Sequence, residues 1–184
     1  TAAALPFEAL VPALREMFVK GCEVPPRQVL TIESPGGPAL TSLVMPAWQP
    51  RRYYGLKCIN VAPGNAARGL PGLHASYLLH DAATGVPLAL IDGSELTNRR
   101  TAAASALAAS WLARADARQL LVVGAGRVAA LLPAAYRAVR PIARVTVWAR
   151  RHAAAAALAA DWRAQGFDAA AAPDLAAAVA AADI

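Results

Sequence analysis

The stretch LLVVGAGRVA, residues 120–129, decides how the second half of the chain reads. Leu120-Leu121-Val122-Val123 is a short, continuously apolar run, the kind of strand that parallel sheets bury on both faces. Gly124-Ala125-Gly126-Arg127-Val128-Ala129 follows it at once, with the spacing Gly-x-Gly-x-x-Ala. In a dinucleotide fingerprint the first glycine makes the tight turn. The second lets a pyrophosphate approach the backbone at a helix N-terminus, where N–H groups are unpaired and the dipole is positive. The small third residue lets the helix pack on the strand. Alone, this spacing is a weak signal; between a strand and a helix it is in the context the chemistry requires. The competing reading is an ordinary turn in an alanine-rich chain.

Downstream, apolar patterning predicts a helix over 128–139, a strand over 144–148 and a helix over 153–165. A strand over 167–171 and a helix over 175–181 complete the run. This βαβαβα order is the start of a doubly wound, Rossmann-type fold. Ala182-Asp183-Ile184 reads as the opening of another strand, so the expectation is a portion of a longer protein with a truncated nucleotide-binding sheet. About 20 residues past the glycines, NAD-binding chains place a carboxylate for the ribose hydroxyls. Here that position holds Ala149, followed by Arg150, Arg151 and His152. The cations suit the 2′-phosphate of NADP(H), or they are a solvated arginine pair; both readings stand.

Upstream the style differs. A helix over 6–20 carries Leu10, Leu14, Met17 and Phe18 at helical spacing, and Gly21 stops it. Pro25-Pro26 forces an extended entry. Strands are expected over 29–33, 39–46, 54–61, 75–81 and 87–92, with turns at Gly36-Gly37-Pro38 and Ala83-Thr84-Gly85. A long helix over 96–114, capped by Ser94, closes this half. The fold class is therefore α/β: a mostly antiparallel domain, residues 1–116, followed by a Rossmann-type domain, residues 117–184.

The chain is 57% hydrophobic and 16% charged, which excludes a disordered polypeptide. No apolar run reaches the roughly 18 residues of a membrane span. Residues 102–113 read as a buried helix, and no signal-peptide pattern is visible, so a cytoplasmic protein is expected. Cys22 and Cys58 lie in no metal spacing and are expected as free, buried thiols. The net charge is +6, but the arginines are scattered, with no basic tract interleaved with aromatics. That argues against nucleic acid and for an anionic small molecule.

Of 18 Lys+Arg residues only Lys20 and Lys57 are lysine. Three cations of the first half stand beside structural punctuation: Arg27 after Pro25-Pro26, Lys57 within a strand, and Arg100 early in the long helix. Converging on one spot they would clamp a carboxylate, the guanidinium forks doing so bidentately. A lysine near other cations titrates lower than usual and can move protons, which arginine cannot. Taken singly, each is equally a surface charge.

The stretch from Tyr54 to Ala129 resembles the ornithine cyclodeaminase/mu-crystallin family. It carries in order a Gly55-x-Lys57-x-x-Asn60 strand, an Asn65-x-x-x-Gly69-Leu70-Pro71 loop and an Asp81-x-x-Thr84-Gly85 hairpin. A Leu96-Thr97-x-x-Arg100-Thr101-Ala102-Ala103-x-Ser105-Ala106 helix follows. The resemblance implies a two-domain NAD(P)-dependent enzyme acting on a small amino or imino acid, usually a homodimer joined through its sheet domain. It implies that Arg27, Lys57 and Arg100 hold the substrate carboxylate and that Lys57 lies near the reacting carbon. Gly124, Ala125, Gly126, Arg127 and Val128 match the pyrophosphate loop, and Ala149, Arg150 and Arg151 the ribose end. The family's catalytic aspartate falls beyond Ile184. Leu43 stands where ornithine-specific members carry an acid, Gly72 replaces a usual Thr, and Ala149 replaces an acid common in NAD users. Asn60 and Asn65 fit the family or simply satisfy turn backbone. His74 and His80 are expected to be structural, and Trp111 and Trp148 to pack.

The leading expectation is an ornithine cyclodeaminase-type enzyme, turning L-ornithine into L-proline and ammonia with the same cofactor oxidising and then reducing. The alternative is reduction of a ketimine, or of a keto acid plus ammonia as in alanine dehydrogenases. A third is a mu-crystallin-like binding protein.

Overall fold

The computed structural model describes every residue from Thr1 to Ile184 and contains two compact units. The first comprises Thr1 and 17–97, the second 2–16 and 98–184. The division between these compact units falls at Thr97/Asn98, inside a long helix.

The first unit is an antiparallel meander with strand order β1-β2-β3-β4-β5. Its strands are β1 (Gln28–Ile32), β2 (Leu40–Gln49), β3 (Tyr53–Val61), β4 (Leu73–Asp81) and β5 (Pro87–Asp92). The β4–β5 turn is built by Asp81, whose Oδ1 accepts from the Ala83 and Thr84 N–H groups and the Thr84 hydroxyl at 2.8–2.9 Å. Gly85 supplies the positive φ of 75° that closes the turn. These bonds, the Thr84 N–H first, hold the Asp81 carboxyl below the usual carboxylate range. The 3₁₀ turn Pro63–Arg68 is tied by the Asn65 side chain, which donates to the Pro71 carbonyl at 2.8 Å.

In the second unit β6 (Gln119–Val123), β7 (Arg144–Trp148) and β8 (Asp168–Ala171) form a parallel sheet in the order β6-β7-β8. The helices are α1 (Phe7–Lys20), α2 (Gly93–Leu112), α3 (Arg127–Arg137), α4 (His152–Ala164) and α5 (Leu175–Ala181). One core lies on the sheet, where Leu120, Val122, Val145 and Val147 pack with Leu158 and Trp162 of α4. A second core is helical: Phe7 and Val11 of α1 pack with Ala102, Ala103, Ala106 and Leu107 of α2 and Ala135 of α3. The alanines of α2 give this face its close approach, and burying it is why α1 is assigned with residues downstream of 97.

Asp183 and Ile184 pair with the free edge of β6. Their N–H groups donate to the Gln119 carbonyl and the Leu121 N–H donates to the Ile184 carbonyl. Gly124 donates to Trp148 on the β7 side. Successive residues of a strand bond to opposite edges, so residues 183–184 continue the sheet on the side away from β7. The chain returns past β6 after α5, which makes the β6 edge the topological switch point of a doubly wound sheet.

Several expectations shift. The cap of α2 is Asp92, whose Oδ1 accepts from the Ser94 and Glu95 N–H groups at 2.9 and 3.0 Å; Ser94 sits inside the helix. Met17 and Phe18 do not join the α1 core and are exposed, because Phe7 and Val11 define the buried stripe. Cys22 is an exposed thiol, not a buried one; Cys58 is half-buried with its Sγ 3.7 Å from the Ser42 hydroxyl. Trp111 is 66% exposed beneath the Arg15 guanidinium, not packed in a core. No helix is long and apolar enough to cross a membrane.

Candidate active site

In the first unit the strand register lines up a row of side chains. Lys57 of β3 stands opposite Met45 of β2 and Tyr77 of β4, and Tyr77 opposite Ile91 of β5. Direct partners in antiparallel strands point to the same face. Arg27 precedes β1, and continuing the Gln28–Val44 register by one residue sets it opposite Met45. Two strand spacings separate it from Lys57, about 10 Å between backbones. Two long cationic side chains can therefore reach one small anion from the same row. Lys57 is half-buried and Arg27 exposed.

The rest of that face is apolar near Lys57: Leu43 lies opposite Ile59, and Ala47 opposite Gly55. Asp81 is the only acid the five strands place on the Lys57 face, since Asp92 pairs with Ser76 on the other. Asp81 sits opposite Tyr53, about 13 Å along β3 from Lys57, and its carboxylate is occupied by the hairpin turn.

Arg100 stands in α2, in the second unit, and is exposed. Its neighbour Arg99 is used structurally: Nε donates to the Leu5 carbonyl at 2.9 Å and the guanidinium covers the Phe7 ring at 4.5 Å. Arg100 is left facing solvent.

At the carboxyl ends of β6 and β7 lies a cleft of about 800 Å³ lined by Val123, Gly124, Ala125, Gly126, Trp148, Ala149, Arg150, Arg151 and Ala154. It fits a dinucleotide on four counts. Gly124 holds φ +114°, a conformation that disfavours any side chain. Nothing lies within 4 Å of where Cβ atoms at Gly124 and Gly126 would stand, so a ligand can approach the backbone there. Gly126 is the N-cap of α3 with no side-chain cap, leaving the first-turn N–H groups for an anion. Ala129 is buried against the sheet core, as a small third residue should be. Arg127 and Val128 do not line the cleft. Val128 packs toward the α1–α2 core, so its backbone is what it can offer a ligand. No carboxylate lines the cleft, and Arg150 and Arg151 are both exposed at it.

Three lining residues went unread in the sequence: Val123, Trp148 and Ala154. Trp148 borders the cleft instead of only packing. His80 stacks on Tyr54 at 5.2 Å, and no cluster of three His, Cys, Asp or Glu is placed to hold a metal.

An antiparallel sheet unit with a cationic row, joined in sequence to a glycine-turn Rossmann sheet, defines a nucleotide-dependent α/β protein class. The profile of the ornithine cyclodeaminase/mu-crystallin family matches residues 8–184, and the chain belongs to that family. It is 47% identical over 150 residues to a Delta(1)-pyrroline-2-carboxylate reductase of Paracoccus denitrificans, covering 81% of this chain and 48% of the relative. Among solved structures it resembles the Thermococcus litoralis Delta(1)-pyrroline-2-carboxylate reductase in complex with NADH and L-proline. There the TM-score is 0.80 at 30% identity, over 96% of this chain and 55% of that one. An archaeal alanine dehydrogenase dimer with bound NAD matches with TM-score 0.77 at 32% identity, over 91% of this chain and 51% of that one. The chain spans about half the length of the curated relatives it matches.

Proposed function

We propose that this chain supplies the substrate row and the cofactor cleft of an NAD(P)-dependent reductase for a small cyclic imino acid of the Δ1-pyrroline-2-carboxylate type. The observation that carries the reading is the Lys57 face: cations at Arg27 and Lys57 in one row, with apolar side chains at Leu43, Met45 and Ile59 beside them. A diamino acid such as ornithine brings a second ammonium, which the apolar Leu43 and Ile59 cannot pair with. A cyclic imino acid brings one carboxylate and an apolar ring, which match. This favours the reductase over the cyclodeaminase expected from the family pattern, and the Paracoccus and Thermococcus relatives support the same order.

A nicotinamide bound in the cleft would supply the hydride for the C=N carbon. The chain's own residues do the rest. Arg27 and Lys57 hold the carboxylate, so the reacting carbon is fixed and orientation contributes much of the rate. Lys57 additionally moves a proton at the substrate nitrogen, which arginine could not. Gly124, Ala125, Gly126 and the backbone of Arg127 and Val128 hold the pyrophosphate, and Ala149, Arg150 and Arg151 the adenosine ribose.

The cofactor preferred is NADP(H). The two solved relatives carry NADH and NAD, whereas this chain sets Arg150 and Arg151 in a cleft without a carboxylate. A second reading, an alanine dehydrogenase-like enzyme making an amino acid from a keto acid and ammonia, is favoured by the archaeal neighbour. The first unit carries the dimer contact through the face opposite Lys57. Leu30, Ile32 and Leu90 lie exposed there, and a second copy would cover them. Light scattering should give a dimer, and Leu90→Glu should shift it to monomer with the fold retained.

The functional test follows NADPH consumption with the five-membered cyclic imino acid, against L-ornithine plus NAD with ammonia release. Fast imine reduction without ammonia from ornithine supports the reductase. Proline and ammonia from ornithine would establish the cyclodeaminase instead.

A further inference from the structure

Tyr77 is directly opposite Lys57, on the same face, yet its ring does not stand upright beside it. It leans along β3 over Gly55. A Cβ built at Gly55 would fall 1.8 Å from the Tyr77 hydroxyl and 2.5 Å from Cζ. Gly55 is buried, and Gly in a strand interior marks such a close approach. The phenol thus occupies the volume that any other residue at 55 would take, one same-face step of about 7 Å from Lys57. Tyr77 is half-buried: burial first, and the Cys22 thiol second, push its hydroxyl's pKa up, so it stays neutral. The ring borders the one stretch of the Lys57 face that Gly55 and Ala47 would otherwise leave open.

We propose that Tyr77 is the specificity-determining wall of the substrate site, limiting the ring that fits beside a carboxylate held at Lys57 to five members. The inference rests on the reading of the Lys57 row as the substrate site. The ring of Tyr77 sets the limit by its bulk over Gly55 on the Lys57 face. A wall of this kind discriminates one added methylene by about tenfold or more.

The test is calorimetric binding of L-proline and of its six-membered homologue L-pipecolate to the full chain with reduced cofactor. It uses the wild type, Tyr77→Phe and Tyr77→Ala, each checked for an unchanged Tm. The wild type should prefer proline by about tenfold. Tyr77→Phe should keep that ratio, since the wall remains, and Tyr77→Ala should bring it within about threefold of unity by tightening pipecolate. A ratio unchanged in a folded Tyr77→Ala overturns the inference and leaves the reductase reading intact. If a folded Tyr77→Phe lost the ratio, the hydroxyl rather than the ring would discriminate, and the wall would be wrong. Failure of the wild type to bind either acid overturns the reading of the row and the inference with it.

Discussion

Removing the two cleft arginines should switch the cofactor preference. Arg150 and Arg151 line the cleft and carry the only charge on it. A hydrogen bond from a charged donor contributes about 1.5–3 kcal/mol, and exposure of both side chains argues for the low end of that range. At 1.4 kcal/mol per tenfold, one lost contact weakens NADPH by about 10-fold and both by up to about 100-fold. NADH lacks the 2′-phosphate, so its affinity should stay within about threefold. The substitutions are mild for the fold: Arg151 is the N-cap of α4 through its extended backbone and makes no side-chain cap bond. Titrating Arg150→Ala, Arg151→Ala and the double variant with each reduced cofactor, by quenching of tryptophan emission from the cleft's Trp148, reads the effect directly. Because the Debye length falls from about 10 Å at 0.1 M to about 3 Å at 1 M salt, wild-type NADPH binding should also weaken with salt more than NADH binding. Equal loss for both cofactors, or a wild type that prefers NADH, refutes the argument and leaves the pair as solvated charges.

Three further outcomes are expected. Lys57→Ala should lower kcat/KM by about 10²–10⁴-fold, while Lys57→Arg should restore KM but not kcat, because the charge returns without a transferable proton; steady-state kinetics separates the two. Gly93→Ala should destabilise by about 1–3 kcal/mol, several degrees of Tm at about 2–4 °C per kcal/mol. Its Cβ would meet backbone atoms of Ala75 and Ser76 at 2.7–2.8 Å, which cannot swing away. Asp183 accepts from the Arg118 and Gln119 N–H groups and from Arg114, which hold its carboxyl below the usual range, the Arg118 N–H most. A depressed folded pKa means the stabilisation is complete above the ordinary carboxylate value near 4 and is lost as pH falls below it. Thermal melts between pH 7 and pH 3 should show that loss, and Asp183→Asn should flatten it.

The Rossmann half was legible because its signals are local. The apolar runs of β6 and β7 and the Leu175–Ala181 helix end where the sequence says, since glycine turns and alternating elements set them within a few residues. Lys57 could be singled out by residue type alone. Tyr77 could not, although Gly55 was the available clue: its place beside Lys57 depends on a register between strands about 20 residues apart in sequence. The cap of α2 was misread because Asp92 and Ser94 are both good N-caps, and only the observed bonds choose between them. Exposure of Cys22 and Trp111 and the docking of α1 on α2 and α3 are tertiary outcomes that spacing does not encode.

The most direct test of the account is hydride tracing with protein from the complete reading frame. The protein is given NADPH carrying deuterium at the transferable C4 position and the five-membered cyclic imino acid, and the product is read by mass spectrometry and proton NMR. The account predicts L-proline with one deuterium, at C2, and no ammonia released. Unlabelled product, or proline formed only from ornithine with release of ammonia, would contradict it.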